Sequence, residues 1–247
     1  FSSSSVSMRL LYHQHHHHHH HHAFSSFFSF SFFFFHHLLL LQLLLSSHLQ
    51  VANADLQSES EALLRFFHNL QSPSPWTAKS LNWTNTTSAC NWVGVQCSTS
   101  TDGVGQKTVV SVALPGRGLM GSIPSQSFGL LPSLQTLSLR SNRLSGAVPA
   151  DLLNCSKLKK LALHRNAFTG QIPAFSTPSL TVIDLSFNNF HGSIPPSFSN
   201  LTRLKSLFLQ NNSFSGSIPP LSTSLSQLNV SFNSLSGSIP PSLRAFS

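Results

Sequence analysis

The sequence predicts an α/β solenoid of about six turns, closed at its N-terminal end by a small helical cap. Three observations predict it. From position 108 onward a pattern of Leu-x-Leu-x-x-Asn-x-Leu-x-Gly-x-Ile-Pro recurs six times. Its Asn position falls at 117 (where an Arg replaces it), 142, 166, 188, 212 and 233, so the units are 21–25 residues long. A segment bearing paired cysteines and tryptophans stands directly before the first unit, where a stack of turns needs its apolar end covered.

In the first unit Val112, Leu114, Arg117, Leu119, Gly121, Ile123 and Pro124 hold the pattern, and in the second Leu137, Leu139, Asn142, Leu144, Gly146, Val148 and Pro149. The third has Leu161, Leu163, Asn166, Phe168, Gly170, Ile172 and Pro173, and the fourth Ile183, Leu185, Asn188, Phe190, Gly192, Ile194 and Pro195. The fifth has Leu207, Leu209, Asn212, Phe214, Gly216, Ile218 and Pro219, and the sixth Leu228, Val230, Asn233, Leu235, Gly237, Ile239 and Pro240. Leu-x-Leu reads as a short strand whose alternate side chains enter a shared core. The Asn beyond it turns inward, where its amide bonds backbone groups of neighbouring turns that would otherwise be buried unpaired. Gly and Pro punctuate the return across the convex side. The period lies within the range of leucine-rich repeats.

Residues 55–107 form the expected cap, ahead of repeats at 108–247. Ser58-x-x-Glu61 has the spacing of a capping box and predicts a helix over 61–70. That helix presents Leu63, Leu64, Phe66, Phe67 and Leu70 and ends before Pro73 and Pro75. Cys90 and Cys97 flank Asn91–Gln96, and in a secreted chain the pair reads as a disulfide. Neighbouring Cys or His ligands for zinc are missing. Cys155, left over, reads as a buried thiol rather than a nucleophile, with His164 the only histidine close in sequence.

Residues 1–54 read as a leader. Met8 is the sole plausible start, Arg9 follows it, and His15–His22 is an unbroken histidine run. Phe32–Leu45 carries eleven Phe or Leu in fourteen positions, and Ala52-Asn53-Ala54 supplies an A-x-A site, with cleavage expected after Ala54. These are the parts of a secretory signal peptide; an uncleaved anchor from Phe27 is the alternative. The apolar core is short of the roughly 20 residues a membrane span requires. The histidine run lacks the spaced ligands of a structural metal site and reads as low-complexity sequence in a discarded segment.

The chain has 14 Lys+Arg against 6 Asp+Glu and only 8% charged residues, where an ordinary soluble domain has about 25%. That deficit argues against a cytosolic enzyme and against a charge-rich disordered protein. The net +8 is uneven: the leader contributes +1, the cap −1, and the repeats hold ten basic residues against two acidic ones.

Leu81-Asn82-Trp83 and Cys90-Asn91-Trp92-Val93-Gly94-Val95-Gln96-Cys97, followed by units such as Leu137-Ser138-Leu139-Arg140-Ser141-Asn142-Arg143-Leu144-Ser145-Gly146, resemble the plant-specific leucine-rich repeat family over roughly residues 55–247. With Leu114-Pro115-Gly116-Arg117-Gly118-Leu119, they look like the short ectodomains of plant receptor-like kinases, many with catalytically deficient kinase domains. The resemblance implies a right-handed extracellular solenoid, a single membrane span and a cytoplasmic kinase or pseudokinase domain, the last two outside this sequence. With no second cysteine-bearing cap, the C-terminal end reads as cut. No Gly-rich phosphate loop, V-A-I-K, H-R-D or D-F-G motif occurs, so these residues are not expected to phosphorylate anything.

Residues flanking each Leu-x-Leu are expected to line the concave face in columns, one of Ser138, Ala162, Asp184, Phe208 and Asn229, another of Arg140, His164, Ser186, Gln210 and Ser231. Candidate ligand-binding residues are therefore Arg140, Lys159, His164, Arg165, Asp184, Lys205 and Phe208, with Lys160 beside Lys159. A basic patch with an aromatic beside it suits a carboxylate-bearing peptide, a co-receptor ectodomain or an acidic cell-wall polymer. A solvated face without a partner is the plain alternative. No nucleic-acid motif is present, and no cofactor, metal or catalytic residue is expected. Only Asp184 among the six acids is predicted on the concave face, so the paired carboxylates of glycoside hydrolysis are missing. Sequons at Asn82, Asn85, Asn154, Asn200, Asn211 and Asn229 fit a secreted glycoprotein. The expected function is extracellular ligand or co-receptor binding at the plasma membrane. The rival is a stand-alone secreted repeat protein in the wall, such as an inhibitor of wall-degrading enzymes.

Overall fold

The computed structural model describes residues 56–70, 81–99 and 105–243, together with Gln42. The histidine run, the cleavage site, Asp55, Pro73, Pro75 and Asp102 lie outside the described residues. The chain divides into two units, Phe1–His48 and Leu49–Ser247. The second holds the cap and the repeats.

Helix α1 spans 56–68. It starts earlier than the predicted 61–70, so Ser58 lies inside it and not at its N-cap. Within this first turn Ser60 Oγ donates to the Leu56 carbonyl at 2.8 Å. The strands are β1 (Val95–Thr99), β2 (Lys107–Ala113), β3 (Met120–Ser122), β4 (Thr136–Ser138), β5 (Arg143–Gly146), β6 (Lys160–Ala162) and β7 (Ala167–Gly170). Further along come β8 (Val182–Asp184), β9 (Asn189–Gly192), β10 (Ser206–Phe208), β11 (Ser213–Ser217), β12 (Gln227–Asn229) and β13 (Ser234–Ser236). The Leu-x-Leu strands form a sheet in the order β1-β2-β4-β6-β8-β10-β12, parallel except for the antiparallel β1–β2 pair. The Gly-bearing strands form a second sheet, β13-β11-β9-β7-β5-β3.

Turn length decides what crosses the convex side. The 24- and 25-residue units carry short 3₁₀ helices at Phe128–Leu130, Ala150–Asn154 and Pro196–Asn200, whereas the units ending at Asn188 and Asn233, of 22 and 21 residues, carry none. Losing two or three residues removes about one 3₁₀ turn. Between Lys107 and Leu243 the described residues hold strands and 3₁₀ turns but no α-helix, so the α-helical part of the α/β expectation is not met in the repeats.

One continuous core runs through cap and repeats. Its central spine is Phe168, Phe190 and Phe214, stacked at 6.1 and 6.2 Å with nearly parallel rings. Between this spine and the concave sheet runs the asparagine ladder. Asn188 Oδ1 accepts from the Phe168 N–H of the preceding turn at 3.0 Å, and its Nδ2 donates to the carbonyls of Leu163 and Leu185. Asn142, Asn166, Asn212 and Asn233 repeat this bridge. Ladder residues convert the backbone ends of each strand into inter-turn bonds.

The cap docks through apolar surface. Trp83 stacks on Trp92 at 5.3 Å, and Phe66 of α1 meets Phe128 of the first repeat at 4.8 Å. Cys90 and Cys97 are joined by a disulfide (S–S 2.03 Å), as the sequence predicts. The buried Glu59 carboxylate accepts from the Val109 N–H at 2.8 Å and so ties α1 to β2. Cys155 is fully buried, its Sγ–H donating to the Phe128 carbonyl. Burial, aided by Asp151, pushes this thiol up to about 12, so no thiolate nucleophile forms there at neutral pH.

Candidate ligand-binding face

The concave columns have the predicted register. Ser138, Ala162, Asp184, Phe208 and Asn229 are successive partners across β4, β6, β8, β10 and β12. Ser138 and Ala162 are buried and make a flat floor, while Asp184 and Phe208 stay half-exposed. Hydrogen bonds place Arg140, His164, Ser186, Gln210 and Ser231 in consecutive turns. A third column, Thr136, Lys160, Val182, Ser206 and Gln227, completes the face.

At its centre His164 Nδ1 lies 2.9 Å from Asp184 Oδ2. Nδ1 has no hydrogen-bond partner, so this close approach becomes an ion pair only when the imidazole is protonated. The other carboxylate oxygen, Oδ1, accepts from the Ser186 N–H at 3.1 Å and hydroxyl at 2.7 Å. Ser, Asp and His thus meet with the carboxylate in the middle. A hydrolytic triad needs the imidazole between acid and hydroxyl; here the Ser186 hydroxyl donates to Asp184.

The basic candidates separate into two groups. Arg140 and Lys160 are exposed on the face, and neither side chain has a hydrogen-bond or ion-pair partner among the described residues. Lys159 and Lys205 sit one step earlier, on the edge where the chain enters each strand, and Lys159 Nζ donates to Gln135 Oε1 at 2.8 Å. Arg165 leaves the face at the opposite edge with its guanidinium 5.2 Å from the Phe187 ring. Lys160 and Lys159 differ only in strand phase, and it is Lys160 that lies in the third column of the face. Gln210, which the sequence places in the second column, has its Oε1 buried without a partner.

Burial lowers His164 below its ordinary value near 6.5; Asp184 acts in the opposite direction, and Arg140, Arg165 and Lys160 reinforce the lowering. A histidine that prefers to be neutral in the fold binds its proton more readily when unfolded. Its contribution is therefore complete above pH about 6.5 and is lost as the pH falls from there through the lowered folded value. An NMR titration should place the imidazole midpoint below 6.5, and lower still in Asp184→Asn, where the one opposing charge is gone. A wild-type midpoint above 6.5 would contradict this balance.

The sequons fall in three settings. Asn82 and Asn85 are exposed on the cap, Asn154 and Asn200 end convex 3₁₀ helices, Asn229 is half-buried on concave strand β12, and Asn211 is half-buried just beyond the concave strands. Among the described residues no group of three or more His, Cys, Asp or Glu is placed to hold a metal. None of their helices is long and apolar enough to cross a membrane.

Residues 56–98 match the leucine rich repeat N-terminal domain, 178–223 a two-copy leucine rich repeat model, and 133–155 and 224–246 the single leucine rich repeat. The BIR2 ectodomain of Arabidopsis thaliana superposes with a TM-score of 0.61 and 33% identity over 76% of this chain and 96% of that one. The chain belongs to the plant leucine-rich repeat receptor kinase ectodomain family. Within it, a probable inactive receptor kinase of Arabidopsis thaliana is 42% identical over 122 residues, 49% of this chain and 18% of that protein. The ectodomain of the Arabidopsis receptor kinase HAESA, solved with the peptide hormone IDA and the co-receptor SERK1, has 33% identity and a TM-score of 0.65, over 76% of this chain and 32% of that chain. The chain thus spans less than a fifth of the curated receptor kinases it matches.

Proposed function

We propose that the repeats are the extracellular recognition part of a plant receptor kinase and capture the free carboxylate of a peptide between Arg140 and Lys160. One observation carries this reading. Neither Arg140 nor Lys160 has a hydrogen-bond or ion-pair partner among the described residues, and the nearby Asp184 carboxylate is turned to the Ser186 N–H and hydroxyl. An anion gains charge-assisted hydrogen bonds there at little reorganisation. The floor of Ser138 and Ala162 leaves room for backbone, and the half-exposed Phe208 offers an apolar contact two turns on. The peptide and co-receptor seen with the HAESA ectodomain support the same class of partner. In this reading the chain enters the secretory pathway through residues 1–54, does no catalysis itself, and membrane attachment and any kinase or pseudokinase domain belong to sequence outside residues 55–247.

The test is capture of a random pool of ten-residue peptides with free C-termini by the secreted protein, beside the same pool amidated. Arg140→Ser with Lys160→Ser should reduce retention of the free-acid pool by about 10- to 100-fold. Lys159→Ser with Arg165→Ser should change it by less than about threefold, because these side chains are held at the edges. Equal capture of the amidated pool would sink the carboxylate reading. Retention of polygalacturonate alone would favour a wall polymer instead.

A further inference from the structure

We infer that Asn211 carries an N-linked glycan whose innermost sugar rests on the open rings of Phe187 and Phe232. Ser141, Arg165, Phe187, Asn211 and Phe232 each precede the ladder Asn of a turn and share a left-handed backbone, with φ of 59, 57, 54, 55 and 53°. Backbone bonds from Ser141, Arg165, Phe187 and Asn211 to the following turn stack them as one column along the lateral edge. Side chains in this column touch from turn to turn, since the Arg165 guanidinium covers Phe187 at 5.2 Å. Arg165 lies on the preceding turn and leaves the other side of that ring toward turn five.

Phe187 is 42% exposed and Phe232 77%, the latter the most exposed large apolar side chain among the described residues. Asn211 sits between them, about 4.8 Å from each neighbouring turn. Its amide has no hydrogen-bond partner among the described residues, and Asn212-Ser213 completes the sequon. Asn229 differs, because its Oδ1 is engaged by the Ser231 N–H and hydroxyl. A pyranose presents a face of C–H groups, which an aromatic ring attracts through its negative π-face. An N-acetylglucosamine on Asn211 therefore has an aromatic surface on either side, and it covers Phe232 and the side of Phe187 that Arg165 leaves open.

The modification is an ordinary displacement. Asn211 Nδ2 bonds to C1 of the first sugar of a lipid-diphosphate-linked oligosaccharide. The C1–O bond to diphosphate breaks, one amide proton is released, and the lipid diphosphate leaves. The glycan covers the lateral edge of turns four to six and leaves the Arg140 and Lys160 pair of turns two and three open to a ligand. The inference rests on the extracellular reading but not on the identity of the ligand.

The full chain, secreted from plant cells, is analysed by glycopeptide mass spectrometry and thermal unfolding. Occupancy of Asn211 in most molecules is expected. Ser213→Ala, which removes the sequon but keeps Asn211, should lower Tm by about 2–4 °C. In a Phe232→Ser background the same change should lower it by less than 1 °C, a coupling that a sugar pointing into solvent does not give. An equal loss in both backgrounds overturns the contact. An unmodified Asn211 beside glycosylated Asn154 or Asn200 overturns the inference and leaves the extracellular reading standing. A chain without sugar at any sequon overturns both.

Discussion

Phe190→Ala is expected to lower stability by about 3–5 kcal/mol, the range for deleting a buried aromatic ring. Phe190 is fully buried and lies between Phe168 and Phe214, so one substitution opens both interfaces of turn four. In a stacked array stability is close to a sum of turns and nearest-neighbour interfaces. The loss should therefore be local: amides of turns five and six exchange faster, while the cap and turns one to three keep their protection. Phe190→Leu tests the explanation. Leu144 and Leu235 occupy the equivalent place in turns two and six, so leucine should restore all but about 1.5 kcal/mol. Uniform loss of protection across the chain would show that the array unfolds as one unit.

Why this fold was legible from sequence, and where legibility stopped, follows from which side chains repeat. A residue used once per turn writes its role into the period. Leu161, Leu163, Asn166 and Phe168 recur with fixed spacing, and their places in strand, ladder and spine follow. The Cys90–Cys97 pair was equally legible because two cysteines this close, without neighbouring zinc ligands, have one economical use. Contacts made once leave no period. The Glu59 carboxylate bonded to Val109 spans 50 residues, and nothing beside Glu59 announces it. The helix start differs from the capping-box spacing of Ser58 and Glu61 because Leu56 already packs against the cap core and carries the helix back past them.

The candidate site was half legible. The columns needed only strand register, and Asp184, His164 and Arg140 meet as the alternation requires. Arg165 illustrates the limit. One residue past His164 the backbone turns left-handed (φ 57°), which swings its side chain from the concave face to the Phe187 ring. Non-glycine residues pay about 1–2 kcal/mol for that conformation, and composition alone does not mark where a repeat demands it. The same conformation explains why exposed phenylalanines line the edge. A left-handed residue just before the ladder asparagine points away from the core whatever its hydrophobicity.

That ladder sets the second large expectation. Asn188→Ala should cost about 2–4 kcal/mol, because the Phe168 N–H loses its acceptor and the Leu163 and Leu185 carbonyls lose a donor inside a water-free interface. Asn188 is only 7% exposed, so solvent does not replace those partners. Asn233 makes the same three bonds in the sixth turn, but there the neighbours Ser231 and Phe232 are exposed and water reaches the bridge. Asn233→Ala should therefore cost less than half as much in chemical denaturation. Asn188→Asp separates hydrogen bonding from volume. It keeps the acceptor for the Phe168 N–H but turns the donor toward two carbonyls into a third acceptor. It should destabilise at least as strongly as alanine at neutral pH and recover as the carboxyl protonates. If Asn188→Ala and Asn233→Ala proved equal, burial of the bridge would not be what gives the ladder its strength.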